Sequence, residues 1–434
     1  MAWDFSTEPE FQVQLDWMLR FVREEIEPID LIFDDPGAPY DPGNEAAHRM
    51  TAPLKDEVQK RGLWACHLGP ELGGQGFGQL KLALMNEILG RSAWAPSVFG
   101  TQAPDSGNAE ILAHYGNDAQ KERFLRPLLE GEIVSAYSMT EPQAGADPMQ
   151  FTTRAERDGD EWVLNGEKWF TSNARFAAFL IVMCVTDPEA DPYRRMSMFL
   201  VPRDTPGLHF VRNTGLAGEE LGAGAHAYLR YENVRVPAEN LLGERGSAFR
   251  IAQTRLGGGR IHHAMRTVGQ CQRAFDMMCE RVLSRETQGS RLAEKQSVQN
   301  YVADSWSELQ QFRLFVLHTA WLIDRGEKDR ARTQIAAVKV ATARILHDIV
   351  WRAMHVHGAL GVSNEMPLGR MWLTAPIMGI VDGPSEVHRV TVARRVLRDY
   401  TPAPGLFPSE HIPTRLRAAR AKFSEILEHE IGNT

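Results

Sequence analysis

The sequence YSMTEPQAGAD, from Tyr137 to Asp147, marks the point where the character of the chain changes. Before it, polar and apolar residues alternate at helical spacing, as in FQVQLDWMLRFVREEI, and Gly and Pro clusters separate the helical stretches. After it come short β-branched and aromatic runs that are separated by turns. The small residues and hydroxyls of the segment would let its backbone approach a planar ligand. By its residues alone, an interdomain turn is an equally good interpretation.

The β-rich region extends to about residue 245 and contains the apolar run FAAFLIVMCV at 176–185. This run has ten residues, whereas a membrane-spanning helix needs roughly 20. We therefore predict a buried strand there and no membrane span. In the same region, Asn165-Gly166 predicts a hairpin turn.

Helical periodicity returns after residue 246, where for example Ile335, Val338, Ala341 and Ile345 fall on one face of a helix. A proline-rich stretch at 401–412 then leads into a charged amphipathic segment. The sequence thus predicts a mainly α-helical protein with a central β domain. The predicted domains are N-terminal helices (1–136), a middle β domain (137–245), a C-terminal helical bundle (246–400), and a linker with a terminal helix (401–434).

Charge and composition favour a soluble enzyme and exclude one class of partner. The chain has 434 residues, with 48 Lys and Arg against 56 Asp and Glu, and we find no basic block long enough to follow a phosphate backbone. We therefore expect no nucleic-acid partner. The first 25 residues contain six Asp and Glu against two Arg, which fits neither a secretory signal nor an Arg-rich transit peptide. Cytoplasmic residence is the expectation.

Two glycine-rich stretches and two histidine pairs invite a ligand assignment. LGGQGFG at 72–78 and RLGGGR at 255–260 lack the spacing of a dinucleotide or phosphate loop, so we predict turns and helix ends there. His262-His263 and the pair His355 and His357 lack the HExxH spacing of a metal site. The four cysteines also lack a metal-binding spacing. We expect no metal.

Five segments, in this order along the chain, resemble landmarks of the acyl-CoA dehydrogenase family. They are YSMTEPQAGAD, NGEKWFTSN, SRETQGSRLAEKQ, HVHGALGV and IVDGPSEVHR. The resemblance extends from PELGGQGFG to Arg394, nearly the whole chain. It implies an N-terminal helical domain, a middle β-barrel or sandwich, and a C-terminal four-helix bundle. DGPSEVH and LGGGRIHHAMR are most similar to the subgroup that contains family members 10 and 11.

The resemblance also implies a function. Family members bind FAD, oxidise an acyl-CoA in fatty acid β-oxidation, and pass the electrons to an electron-transfer flavoprotein. They assemble as homo-oligomers, so a dimer or a tetramer, with a homotetramer as the leading expectation, is implied here.

Most of the implied site residues belong to the flavin site. Met139 and Thr140 resemble donors to the polar edge of the ring, and Trp169 and Thr171 resemble the residues that flank it. A core position for Trp169 and a surface role for Arg285 are the alternatives. The complete implied set is Tyr137, Met139, Thr140, Trp169, Thr171, Arg285, Thr287 and Gln296, then His355, Gly358 and Ala359 toward a neighbouring subunit, and Pro384 and Glu386.

Two members of this set depart from the family at each of two segments. His355 and Ala359 replace the Gln and Gly that reach a neighbouring subunit in the family. Pro384 and Glu386 replace Thr and Gln.

Asp382 resembles the catalytic carboxylate, which is usually Glu in this family. An N-cap role for a helix beginning at Ser385 is the alternative. Some family members carry the carboxylate just before an arginine that matches Arg260, and that position is Gly259 here, so the resemblance points to Asp382. It also places Ala146, Arg260 and Gly383 on the substrate side. Aspartate is shorter than glutamate by about 1.5 Å, so the backbone or the substrate must lie closer.

Two competing functions remain at this point. A flavoprotein oxidase of the same fold, similar to nitroalkane oxidase or to an acyl-CoA oxidase, is the nearer one, because nitroalkane oxidase uses aspartate as its base. A helical adaptor without catalytic activity is the alternative from another class.

Overall fold

The computed structural model describes residues 4–33, 38–41, 43–72 and 74–431, so Gly73 of the first glycine-rich stretch lies outside the described residues. The chain forms two compact units, one up to Arg389 and one from Val390 onward. The first unit contains three successive regions, which are helical, β-rich and again helical. This order agrees with the order predicted from the sequence.

The N-terminal region consists of helices of different lengths. Two of them continue into π-helical segments, Val22–Ile26 and Lys121–Leu125. The α-helices are α1 (Pro9–Phe21), α2 (Glu27–Ile32), α3 (Glu45–Lys60), α4 (Gly78–Leu89), α5 (Ala95–Val98), α6 (Asp105–Tyr115), α7 (Asp118–Gln120) and α8 (Arg126–Glu130).

The middle region is an eight-stranded, mostly antiparallel sheet in the order β6-β7-β3-β2-β4-β5-β8, and β1 pairs in parallel with β4. The strands are β1 (Ser135–Ser138), β2 (Arg154–Asp158), β3 (Glu161–Ser172), β4 (Phe179–Val185), β5 (Met196–Pro202), β6 (Leu208–Thr214), β7 (His226–Pro237) and β8 (Leu241–Leu242).

Strand β4 explains the long apolar run. All seven of its residues are buried, because the sheet is covered on both faces here. Phe179, Ile181 and Met183 pack into a core shared with α6 and the helix that follows the sheet, whereas Leu180 and Val182 pack into a core within the β region. Successive side chains of a strand point to opposite faces, so a strand between two cores is apolar throughout. The predicted buried strand is confirmed.

The prediction of a hairpin turn at Asn165-Gly166 is wrong. These residues lie inside β3, at an irregularity in its pairing with β7, and the turn between β2 and β3 is Gly159-Asp160. Gly166 is required for a different reason, since a methyl group there would lie 2.5 Å from the Thr153 hydroxyl. The glycine permits a close approach at a bulge rather than a reversal of the chain.

The C-terminal region of the first unit is built on long helices that pack against one another and against α4. Their shared core contains Met18 and Leu82 from the N-terminal helices together with Val268, Leu309 and Ile349. The helices are α9 (Ala248–Ser284), α10 (Gln296–Asp324), α11 (Lys328–His357) and α12 (Leu368–Ile380), and the short strands β9 (Glu286–Thr287) and β10 (Ser290–Arg291) form a hairpin between α9 and α10. A further helix, α13 (Ser385–Val396), contains the boundary between the two units, which lies after Arg389.

The C-terminal segment contains two helices rather than the single terminal helix that we predicted. They are α14 (Ile412–Lys422) and α15 (Ser424–Ile431). Phe423 separates them because its backbone leaves the helical region, with ψ at 19°. The predicted domain boundaries at 136, 245 and 400 stay predictions, whereas the predicted fold class is confirmed.

In the described ranges, no helix combines the length and the apolar character that a membrane crossing needs.

A buried ion pair joins β3 to the segment YSMTEPQAGAD. Nζ of Lys168 lies 2.9 Å from Oε1 of Glu141, and their side chains are 0% and 1% exposed. Lys168 also donates to the carbonyl of Met139 at 2.8 Å. Burial alone would raise the pKa of the Glu141 carboxyl, but the Lys168 ammonium and hydrogen bonds from Thr152 and Thr153 hold it at about 2. The stability gained from ionised Glu141 is therefore complete above the ordinary glutamate range and is lost as the pH falls toward 2.

We predict that Lys168→Met destabilises the protein by about 3–5 kcal/mol, because it leaves the Glu141 carboxylate buried without its partner. Urea unfolding measures the change. Arg126→Met is the matched control, since the Arg126–Glu122 pair is 55% and 67% exposed and such a pair contributes at most about 1 kcal/mol. Equal effects of the two substitutions would contradict the role given to Lys168.

Candidate active site

Asp382 lies in the short connection between α12 and α13, in an unusual backbone conformation. Its φ is +54°, and that of Gly383 is +99°. A left-handed conformation is disfavoured for residues with a side chain, although Asp and Asn tolerate it better than most. The surroundings must therefore hold Asp382 in place.

Three helices hold this connection through its carbonyl groups. The Asp382 carbonyl accepts a hydrogen bond from Nε of Arg260 at 2.9 Å and one from Nε2 of His388 at 3.2 Å. The carbonyl of Met378, at the end of α12, accepts one from Nζ of Lys339. Ser385 donates its hydroxyl hydrogen bond back to the Gly379 carbonyl at 3.3 Å. These contacts fix the backbone and leave the Asp382 side chain available.

The Asp382 carboxylate is mostly buried and incompletely paired. The side chain is 13% exposed, and Nε2 of His263 lies 3.6 Å from Oδ2, which is beyond a normal hydrogen bond. Oδ2 has no hydrogen-bond partner among the described residues. Because α13 begins at Ser385, Asp382 stands three residues before the helix, which favours a chemical role over an N-cap.

Gly259 provides the space that this carboxylate occupies. A methyl group at Gly259 would lie 2.6 Å from Oδ2 of Asp382, and one at Gly258 would lie 2.8 Å from Oε2 of Glu110. Our prediction that RLGGGR forms a turn or helix end is therefore wrong. The three glycines lie within the continuous helix α9, and two of them bring carboxyl groups close to its backbone. A carboxylate at position 259 would collide with Asp382.

A second carboxyl group, that of Glu110, also lies close to the backbone of α9, and the sequence did not predict it. Burial raises the pKa of Glu110 to about 7, although Arg255 opposes the shift. The Arg255 guanidinium lies 3.9 Å from the centre of the Tyr137 ring, and its Nε donates to Oδ1 of Asn108 at 2.9 Å. No motif marks Glu110 or Arg255 in the sequence, because the contact depends on α6 packing against α9.

The predicted flavin residues of the middle region are brought together where β1 passes β3. The backbone N–H of Trp169 donates to the carbonyl of Thr140 at 2.8 Å. The Trp169 ring stacks on Phe170 with centroids 4.9 Å apart, and its Nε1 donates to Thr214 at 2.8 Å. Thr171 is fully buried, and its hydroxyl lies 3.3 Å from that of Ser138.

These residues fit a planar ring with a polar edge. The Tyr137 hydroxyl is buried and has no partner in the part of the chain that the structure describes, and burial raises the pKa of Tyr137 above its usual range. Phe170 presents an exposed aromatic surface, 44% exposed, beside Trp169. An exposed aromatic stack and an unpaired hydroxyl are groups that an isoalloxazine ring could use.

The remaining predicted residues are distributed over other surfaces. Within the described ranges, none of them forms a hydrogen bond or an ion pair with Asp382, although Gly383 and Pro384 follow it directly in the chain. Arg285 lies at the end of α9, Thr287 in β9 and Gln296 at the start of α10. The exposed members of the set are Ala146, Arg285, Thr287, Gln296, His355, Gly358, Ala359 and Glu386.

Other cavities and clusters lie apart from this site. An apolar cavity of about 480 Å³ between α9 and α10 is lined by Phe275, Val298 and Trp306, and no predicted site residue borders it. Nε2 of His263 lies 3.6 Å from Oδ2 of Asp382, whereas the pKa of His262 is lowered by burial and further by Arg266, His67 and His263. In the described residues, no group of three or more His, Cys, Asp or Glu side chains could hold a metal ion.

We predict that Gly259→Ala lowers the free energy of unfolding, because its methyl group would displace the Asp382 carboxylate. Gly257→Ala is the matched control, since nothing lies within 4 Å of a methyl group at that position, and it should stabilise the same helix by about 0.5–1 kcal/mol. Urea unfolding of both variants measures the difference. A stabilisation by Gly259→Ala equal to that of the control would contradict the close contact.

Comparison with known families covers nearly the whole first unit. Residues 9–132, 136–234 and 246–397 match the N-terminal, middle and C-terminal domains of acyl-CoA dehydrogenase, respectively.

Individual relatives agree with this. The chain is 42% identical over 381 residues to the Mycobacterium tuberculosis protein named "Probable acyl-CoA dehydrogenase FadE2", covering 87% of this chain and 93% of that protein. It is 38% identical to mouse acyl-CoA dehydrogenase family member 11 over 80% of this chain, but it spans only 45% of that protein. The predicted kinship with family members 10 and 11 is confirmed, with mouse member 10 also 38% identical.

Among solved structures, butyryl-CoA dehydrogenase from Megasphaera elsdenii superimposes with a TM-score of 0.78 at 27% identity, covering 91% of this chain and all of that one. The combination of three domain matches, a relative that the match covers over 93% of its length and this shared fold leads to one conclusion. The chain belongs to the acyl-CoA dehydrogenase family of FAD-binding oxidoreductases.

Proposed function

We propose that the protein catalyses the FAD-dependent α,β-dehydrogenation of an acyl-CoA thioester to a trans-2-enoyl-CoA, with Asp382 as the base that removes the α-proton. The observation that carries this proposal is the Asp382 carboxylate itself. It is mostly buried, its Oδ2 has no hydrogen-bond partner among the described residues, and its backbone is held from two sides.

A base must have a free lone pair in a fixed position. A carboxylate that the protein already saturates with hydrogen bonds would lose this capacity, and Oδ2 of Asp382 is not saturated. Arg260 acts as a positioning residue, because its guanidinium binds the Asp382 carbonyl rather than the carboxylate. We expect the backbone N–H of Asp382 to donate to the thioester oxygen, where enolate-like charge develops as the proton leaves.

The flavin site is proposed around Tyr137, Met139, Thr140, Trp169 and Thr171. FAD, when bound there, would accept the β-hydrogen as a hydride. Trp169 and Phe170 would exclude water from one side of the ring, and the Tyr137 hydroxyl would find a partner. The Thr171 hydroxyl lies 3.3 Å from that of Ser138, and because a hydroxyl can accept one hydrogen bond while it donates another, it would also be able to donate to the ring.

The outer parts of the cofactor site are also proposals. Arg285, Thr287 and Gln296 would bind the pyrophosphate region, and an exposed guanidinium is available for a charge-assisted contact. His355, Gly358 and Ala359 would meet the cofactor of a neighbouring subunit in a dimer or a tetramer, which requires exposed residues, as these are. An electron-transfer flavoprotein as the electron acceptor and residence in the cytoplasm stay predictions.

We predict that Asp382→Asn retains FAD and acyl-CoA binding but loses flavin reduction by at least about a hundredfold, because an amide cannot accept the α-proton. Anaerobic stopped-flow measurement of flavin bleaching by acyl-CoA substrates of different chain length tests this. Asp158→Asn is the matched control, since Asp158 is exposed, pairs with Arg235 and belongs to none of the proposed site residues. Reduction of Asp382→Asn at a rate near that of the wild type would refute the base assignment.

The same preparation separates the competing functions. An acyl-CoA dehydrogenase turns over with an electron-transfer flavoprotein or a dye under nitrogen, whereas an oxidase of this fold consumes oxygen. Turnover only with oxygen and a nitroalkane would contradict the proposal. A colourless protein that fails to take up FAD would indicate an adaptor instead.

A further inference from the structure

The side chain of His263 lies next to the Asp382 carboxylate. It lies four residues after Gly259 on α9, so both residues belong to the same face of that helix. Nε2 of His263 is 3.6 Å from Oδ2 of Asp382, the oxygen that lacks a hydrogen-bond partner. A small rotation of either side chain would close this gap to hydrogen-bond distance, as commonly happens when a substrate binds.

His263 also lines a small cavity of about 170 Å³, and Asp382 does not. Polar residues share its lining, among them Ser92, Arg266 and Gln270. Oε1 of Gln270 is buried and has no partner in the described part of the chain, so a water molecule in the cavity would satisfy it. A polar cavity of this size has room for a few water molecules.

The charge state of His263 suits a transient proton carrier. Burial lowers the pKa of His263 to about 4, and Asp382 opposes this shift while Arg266, Lys339 and Arg255 add to it. The imidazole is therefore neutral near pH 7, and an imidazolium formed there would release its proton readily.

We propose that His263 relays the α-proton from Asp382 to water in this cavity, an inference that rests on the proposed role of Asp382 as the base. During turnover, the acyl-CoA covers the face of the carboxylate that meets the α-carbon, so the proton leaves on the side of His263. The proton that Oδ2 takes from the substrate passes to Nε2 of His263, which restores the carboxylate. The imidazolium then gives one proton to water, so that one proton leaves the substrate and one reaches solvent.

The test uses an acyl-CoA in which sulfur replaces the β-carbon, because this probe can lose its α-proton but has no β-hydrogen to transfer. Incubated in D2O with the FAD-loaded protein, it exchanges its α-hydrogens for deuterium at a rate measured by proton NMR. We expect His263→Ala and His263→Gln to slow this exchange by about tenfold or more. Added imidazole should restore exchange in His263→Ala, which a purely structural role would not explain.

His262→Gln is the matched control, since this ring is also buried but points about 100° away from His263 on the same helix, so its loss should leave exchange unchanged. Exchange at the wild-type rate in His263→Gln would overturn the relay, because an amide can hold the carboxylate by a hydrogen bond but cannot carry a proton. Asp382→Asn identifies the source of a failure. If it loses exchange while both His263 variants retain it, only the relay is wrong; if it exchanges like the wild type, the base assignment is wrong as well.

Discussion

The site depends on the close approach of the Asp382 carboxylate to the backbone of α9. Where a side chain at position 259 would begin, Oδ2 of Asp382 would lie 2.6 Å away. This contact requires glycine at 259 and brings the connection between α12 and α13 against the helix. It also accounts for the left-handed conformation of Asp382, whose strain of roughly 1–2 kcal/mol is offset by the hydrogen bonds to its carbonyl.

The same approach provides a physical account of the shorter base. An aspartate side chain reaches about 1.5 Å less far than a glutamate side chain. Because no side chain stands at position 259, the connection that carries Asp382 can lie closer to α9 and so bring the shorter carboxylate forward. Helix α9 also carries Arg255, Arg260 and His263, which contact Tyr137, the Asp382 carbonyl and the carboxylate region, respectively. Since α9 packs against α4, α10 and α11, these groups share one rigid support.

The order of helical and β regions could be predicted from the sequence because the spacing of apolar residues along the chain reflects which side chains are buried in a helix or a strand. The run FLIVMCV is apolar throughout because β4 lies between two cores. Such a run predicts a buried strand even when the segments that cover it are unknown. Residues of the site could be predicted only where they belong to a local sequence motif, as Trp169 and Asp382 do. The glycines at 257–259 were misread because glycine marks close approaches as well as helix ends. Glu110, Arg255 and His263 acquire their roles through contacts distant in sequence, and no local pattern records such contacts.

The central claim is that Asp382, rather than Glu110, whose carboxyl group also lies close to the α9 backbone, faces the substrate's α-carbon. The most direct measurement is a high-resolution crystal structure of the FAD-loaded protein with an unreactive acyl-CoA analogue. Our account predicts a carboxylate oxygen of Asp382 within about 3.5 Å of the α-carbon, a distance from which proton transfer is feasible. An α-carbon that lies beside Glu110, with Asp382 out of reach, would contradict it.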